Sequence, residues 1–210
     1  MGLHERARQE AMIAAARAYA ICAHGDQTYG DFPYEKHLQD VVDILSVFRA
    51  SYFLDKLYPI LAQVGYLHDV LEDTEITYEQ LDDAFGYRIT SNVSAITDPV
   101  GKNRRERKEQ FTVRMQFFIT QPEYVFAVIV KVADRLANVR HAVKRESEKS
   151  KYVKLYRKEY PEFKALIYPF IDSHLFVYSD VLKTWFRELD DYLIVEPVTL
   201  SASICAGSVS

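Results

Sequence analysis

Apolar side chains recur every three to four positions through most of this chain, the spacing that gathers them on one face of an α-helix. The first such run, residues 5 to about 24, sets Met12, Ile13, Ala16, Tyr19, Ala20 and Ala23 on an inner side. It stops at His24-Gly25-Asp26, glycine being a natural helix terminus. A loop over 27–33 leads to a second helix, 34 to about 49, with Leu38, Val41, Val42, Leu45 and Phe48 inward. A third, from about 56, carries Leu61, Val64, Leu67 and Leu71. Thr77 and Gln80 have the spacing of a capping box, opening a helix that ends at Phe85-Gly86. Helices over 87–96 and about 102–119 follow, separated by a polar loop at 97–101. The segment 124–143 is long and nearly all apolar. Three aromatic-rich helices are predicted over 150–159, 160–171 and 174–193, the last with Trp185. From residue 196 the helical period disappears, which predicts a loose tail.

Only 7 Gly and 7 Pro among 210 residues agree with this pattern, and the fold class it predicts is all-α. One domain over residues 1–195 is expected, as a bundle of about eight to ten helices, with 196–210 as a flexible C-terminal tail. A hydrophobic content of 49% supplies a core for a domain of that size. The net charge of −4 and a pI near 5.9 argue against a nucleic-acid partner. No apolar run approaches the roughly 20 residues that span a bilayer, so no membrane partner is expected. Cys22 and Cys205 lack a CxxC neighbour, which points to a reducing, cytoplasmic setting and excludes a cysteine-based zinc site. The sequence gives no sign of an oligomer.

The chemistry is concentrated in Tyr66-Leu67-His68-Asp69-Val70-Leu71-Glu72-Asp73-Thr74. On a continuous helix His68 and Glu72, and Asp69 and Asp73, stand four apart on adjacent stripes of one face. His68 and Asp69 can then direct a nitrogen and an oxygen at one cation. Glu72 and Asp73 lie one turn on, where a water could be deprotonated. Asp134 interrupts the apolar 124–143 helix, with Asn138 a turn later on its face. A carboxylate there must find a cation or donors; an ion pair with Arg135 or Arg140 is the plain alternative. With His37, the set is two imidazoles and two carboxylates on three core-facing helices. It suits one borderline cation such as manganese, iron or zinc, with positions left for water and substrate. Residues 102–108 hold five cations in seven positions, Lys102, Arg107 and Lys108 among them. In an acidic protein such a segment faces a polyanion more readily than plain solvent.

His37, then His68-Asp69, then Asp134 resembles the HD-domain metal-dependent phosphohydrolases. More narrowly, the chain resembles the small stand-alone alarmone hydrolases that remove the 3′-diphosphate of (p)ppGpp. Ala23-His24, Pro33-Tyr34-Glu35-Lys36-His37, His68-Asp69-Val70-Leu71-Glu72-Asp73, Glu106-Arg107-Lys108 and Ala133-Asp134-Arg135-Leu136-Ala137-Asn138 carry the likeness over about 15–165. The resemblance implies one metal ion, typically Mn2+ with Fe2+, Co2+ or Zn2+ as alternatives, on His37, His68, Asp69 and Asp134. It makes Glu72 and Asp73 the catalytic carboxylates that activate water. It also implies a small nucleotide substrate touched by Asn138, by Lys102, Arg107 and Lys108 through its phosphates, and by Arg157 and Tyr160. Nine residues before His37 the family carries an arginine that packs on guanine; Thr28 stands there, beside Tyr29. A hydroxyl cannot stack and donate as a guanidinium does, so Tyr29 becomes the base-stacking candidate and (p)ppApp joins (p)ppGpp as an expected substrate. Rivals are an HD phosphohydrolase for other nucleotides and a nucleotide-binding, antitoxin-like regulator that has lost turnover.

Overall fold

The computed structural model describes residues 2–50, 54–99, 101–146 and 151–194. In order come α1 (Leu3–His24), a hairpin of β1 (Thr28–Tyr29) and β2 (Phe32–Pro33), α2 (Glu35–Leu45), α3 (Tyr58–Leu67) and the single turn α4 (Val70–Asp73). Then follow α5 (Tyr78–Phe85), α6 (Tyr87–Ile96), α7 (Arg104–Phe118), α8 (Val125–Glu146), α9 (Lys151–Ile167) and α10 (Ser179–Leu193). The fold is all-α, as the periodicity predicts. None of these helices is long and apolar enough to cross a membrane. The tail expected over 196–210 lies outside the described residues.

The bundle is built around α8. Val128, Ile129, Val130, Val132, Ala133 and Leu136 are all fully buried, and only the stripe of Lys131, Asp134, Arg135 and Asn138 is partly open. α2, α3, α6, α9 and α10 pack against it, and α1 lies on α3. Burial also removes water from the first backbone N–H groups of α8, which have no partner inside the helix. Asn92 of α6, itself fully buried, provides one. Its Oδ1 accepts from the Ala127 N–H at 2.9 Å, while its Nδ2 donates to the carbonyls of Arg88 (2.9 Å) and Glu123 (3.0 Å). Asn92→Leu strands these groups, and we expect a loss of about 1–3 kcal/mol. Thermal unfolding should show it as a fall of roughly 2–4 °C per kcal/mol for a chain of this size; an unchanged Tm would show that the cap carries no weight.

α2 and α3 meet at Gly65. A Cβ there would lie 2.8 Å from Leu45 Cδ1 and 3.1 Å from Val42 Cγ2, so only a hydrogen fits between the helices without a shift.

The structure departs from the sequence pattern in four places. α1 reaches the core through the small side chains of Ala16 and Ala20, and Met12, expected inward, is 40% exposed. The helices expected over 150–159 and 160–171 are one, α9, running through Pro161. Proline removes one N–H and crowds the preceding turn, but Val153 and Tyr160 before it and Phe163, Leu166 and Ile167 around and after it are buried and hold both halves in place. The loop expected over 27–33 contains a hairpin, Tyr29 pairing with Phe32 across Gly30-Asp31. Gly30 takes φ +63°, which a tight two-residue turn of this kind requires. Finally, the third helix does not run through the His-Asp motif. It stops at Leu67, Asp69 sits at φ −99°, ψ −3°, and α4 restarts at Val70. In an unbroken helix the Gly65 carbonyl would accept from the Asp69 N–H. Here His68 Nδ1 competes for it, at 2.8 Å.

Candidate metal centre and its surroundings

That break aims two side chains at one point. His37 comes from the first turn of α2, His68 and Asp69 from the turn after α3, and Asp134 from the middle of α8. The donor atoms of His37, His68 and Asp69 all lie within 4.8 Å of one another. His37 Nε2 is 3.2 Å from His68 Nε2 and 3.4 Å from Asp69 Oδ2; His68 Nε2 is 3.0 Å from that same oxygen. Asp134 Oδ1 approaches to 3.4 Å of His37 Nε2 and 3.7 Å of His68 Nε2. Ligands held at about 2.0–2.2 Å from a small divalent ion are themselves about 3–3.5 Å apart, and these separations fit that geometry. The tautomer fits as well. His68 Nδ1 faces the Gly65 carbonyl and carries a hydrogen, so Nε2 is the nitrogen left to meet an ion or a proton at the centre.

Electrostatics give the same answer. Burial disfavours a charged His68, yet Asp69 beside it and hydrogen bonds to Asp134 and Asp69 prevail and push its pKa up to about 10. His37 is likewise raised, its bonds to Asp134 and Asp69 overcoming burial. Burial opposes ionisation of Asp69 and Asp134 too, but the two imidazoles hold both carboxyls below the usual range. The four groups stabilise positive charge at their common centre. Two nitrogens and two carboxylate oxygens suit a borderline divalent cation.

Asp134 is also held from behind. Asn138 Nδ2 donates to its Oδ1 at 2.5 Å, and Tyr29 Oη donates to Asn138 Oδ1 at 2.8 Å. The Tyr29 ring packs on His37 (centroids 4.7 Å apart) and on His141 (4.2 Å). Thr28, next to it in β1, is exposed. Neither Arg135 nor Arg140 takes Asp134 as its ion-pair partner: Arg135 reaches Glu159 at 3.4 Å and Arg140 reaches Glu188 at 2.7 Å.

Glu72 and Asp73 sit at the solvent side of the centre and are aimed differently. Tyr34 Oη donates to Asp69 Oδ2 at 2.6 Å and lies 3.1 Å from Asp73 Oδ2, so the Asp73 carboxylate stands next to a donor group of the centre. Glu72 Oε2 instead accepts from the Asp98 N–H at 2.9 Å. Burial raises the pKa of both; the Asp98 N–H opposes this for Glu72, and the Asp69 charge adds to it for Asp73.

Of the cations at 102–108, Arg107 and Lys108 line a cavity of about 140 Å³ together with Lys131, Arg135 and Phe111. Lys131 joins this cavity to the centre, its Nζ lying 3.9 Å from Asp134 Oδ2 and 3.3 Å from the Ile96 carbonyl. Lys102 is exposed and outside that lining; its N–H binds Glu106 Oε2 at 2.9 Å. Arg157 Nη2 donates to the Tyr192 carbonyl at 3.4 Å. Tyr160, expected to help enclose a nucleotide, is turned into the core. Its Oη donates to Asp190 Oδ1 at 2.6 Å and lies 3.1 Å from the Phe186 carbonyl, because α9 needs that side against α10. One turn earlier, Tyr156 is an electrostatic neighbour of the Tyr29 hydroxyl, and its ring lies 5.1 Å from the Arg135 guanidinium. Glu159 is buried between Lys108 (2.8 Å) and Arg135. In the stretch Tyr156-Arg157-Lys158-Glu159-Tyr160, residue type alone does not say which side chains turn inward.

No protein-family model matches the chain. Among curated proteins it is similar to a guanosine-3′,5′-bis(diphosphate) 3′-pyrophosphohydrolase of Drosophila melanogaster, 32% identical over 125 residues, covering 58% of this chain and 64% of that protein. A Spiroplasma citri protein of the same description is 37% identical over 79 residues, 36% of this chain and 10% of the relative. The chain thus spans less than two thirds of the length of either. Among solved structures, a metazoan ortholog of SpoT described as hydrolysing ppGpp superposes with a TM-score of 0.59 at 23% identity, over 85% of this chain and 96% of that one. In fold the chain is therefore an HD-domain helical bundle, and in sequence it is a relative of the guanosine-3′,5′-bis(diphosphate) 3′-pyrophosphohydrolases.

Proposed function

We propose that this protein hydrolyses the 3′-diphosphate of a purine alarmone, (p)ppGpp or (p)ppApp, and releases pyrophosphate. The observation that carries the reading is the meeting of His37, His68, Asp69 and Asp134 from three parts of the chain at ion-binding separations, with Asp73 at their edge. His37, His68, Asp69 and Asp134 would hold a divalent ion, manganese in our reading with iron, cobalt or zinc as alternatives, and such an ion would supply Lewis-acid activation of water and of a phosphoryl oxygen. Asp73 accepts the proton of the attacking water, and Glu72, fixed by the Asp98 N–H, orients that water. Arg107, Lys108 and Lys131 offset the phosphate charge from the adjoining cavity. Asn138 contacts the nucleotide beside Asp134. Lys102 and Arg157 receive no task at the centre. With Thr28 offering only a hydroxyl, the base meets the aromatic hairpin at Tyr29, so both purines remain in the reading. We take residues 1–195 as one catalytic domain working in the cytoplasm.

A substrate panel tests this. With manganese present, ppGpp or ppApp should lose pyrophosphate, while GTP, ATP and cyclic nucleotides stay intact. Cleavage of 5′- or cyclic nucleotides alone would replace the reading with another HD phosphohydrolase. Binding of an alarmone without turnover would favour the regulator.

A further inference from the structure

His24 closes α1 and is buried, and it is neither a donor of the centre nor one of the two carboxylates at its edge. The role of its Nδ1 follows from its neighbours. Gln27 Nε2 donates to the backbone carbonyl of Asp73 at 2.6 Å, which leaves Oε1 as the acceptor facing His24 Nδ1 at 2.9 Å. Nδ1 therefore carries a hydrogen. The other face of the contact is apolar: the imidazole lies flat on Tyr34, centroids 4.2 Å apart and planes at 20°. Tyr34 is the residue whose hydroxyl stands between Asp69 and Asp73. Two arms thus run from one imidazole to Asp73, through Gln27 to its main chain and through Tyr34 to its carboxylate.

α4 needs such a hold. It is four residues long and has no side-chain cap at its start, and an isolated turn does not persist by itself. α1 packs on it. A proton acceptor has to stand within hydrogen-bond reach of its water, and a misplacement of about 1 Å can cost on the order of 100-fold in rate.

We propose that His24 is a positioning residue that clamps α4 to the end of α1 and keeps the Asp73 carboxylate beside Asp69. Its effect on turnover rests on the reading of Asp73 as proton acceptor; the clamp itself does not. Two measurements on the full chain separate them. The first is hydrogen exchange at the Glu72 and Asp73 amides, which bond to the Asp69 carbonyl at 3.1 and 2.9 Å. His24→Ala should speed it about tenfold, and His24→Asn, whose amide can still donate to Gln27, should restore much of the protection. The second is steady-state pyrophosphate release with manganese and the alarmone the wild type cleaves. His24→Ala should lower kcat by about 10–100-fold, with KM and manganese affinity within about threefold of wild type. His24→Asn should recover most of the loss, and adding Gln27→Ala to His24→Ala should cost little more, as expected for two parts of one device.

Unchanged amide exchange overturns the clamp whatever the activity. A loss of manganese affinity in step with kcat, or no rescue by asparagine, overturns it too, by assigning the damage to the metal ligands or to packing. A wild type that cleaves no 3′-diphosphate refutes the hydrolase reading instead, and the exchange result then still decides the clamp.

Discussion

Asp134→Ala abolishes both manganese binding and pyrophosphate release while the helical fold persists; that is the largest effect we expect of any single change. Asp134 Oδ1 faces both imidazoles and closes the donor set from α8. Its loss leaves His37, His68 and Asp69 on one side of the centre with nothing opposite, and also removes the acceptor of the Asn138 amide. Differential scanning calorimetry can read the result without substrate. At free manganese a hundredfold above its Kd, binding to the folded chain alone stabilises by about 2.7 kcal/mol. For a chain of this size that raises Tm by roughly 5–10 °C. The wild type should show the shift and the variant should not, with far-UV circular dichroism unchanged. A variant that keeps the shift would mean that the ion, if bound at all, lies elsewhere.

The second large effect separates proton transfer from metal binding. Asp73→Asn keeps the size of the side chain and an oxygen to face Tyr34 Oη, but it cannot take a proton from water. General-base removal typically costs about 10²–10⁴-fold, and we expect kcat to fall in that range with the manganese-induced Tm shift intact. Near-normal turnover would strip Asp73 of this role. A lost shift would instead place Asp73 among the residues that hold the ion.

How much could be read before the fold was known differs from residue to residue. The capping box of Thr77 and Gln80 forms as its spacing predicts, each side chain bonding the other's backbone. The buried length of α8 follows from its largely apolar run. Asp134 is conspicuous on the same ground, since a carboxylate amid such residues needs a partner of opposite charge. The break at His68 is different. It depends on a side chain competing for a carbonyl of the preceding turn, a contact that leaves no periodic trace. The hairpin did leave one, Gly30-Asp31 between Tyr29 and Phe32, though the pairing is only two residues long. Tyr156 and Tyr160 are indistinguishable by type. Which of them turns into the core is decided by how α9 rolls against α10, where Tyr160 meets Asp190.

The contact at Gly65 bears on more than packing. His37 rides on α2 and His68 follows directly from α3, so the width of that single crossing works as a caliper on the distance between two of the four donors. A side chain added there would have to part α2 from α3, and with them two of the four donors, from a position that is not itself in the site.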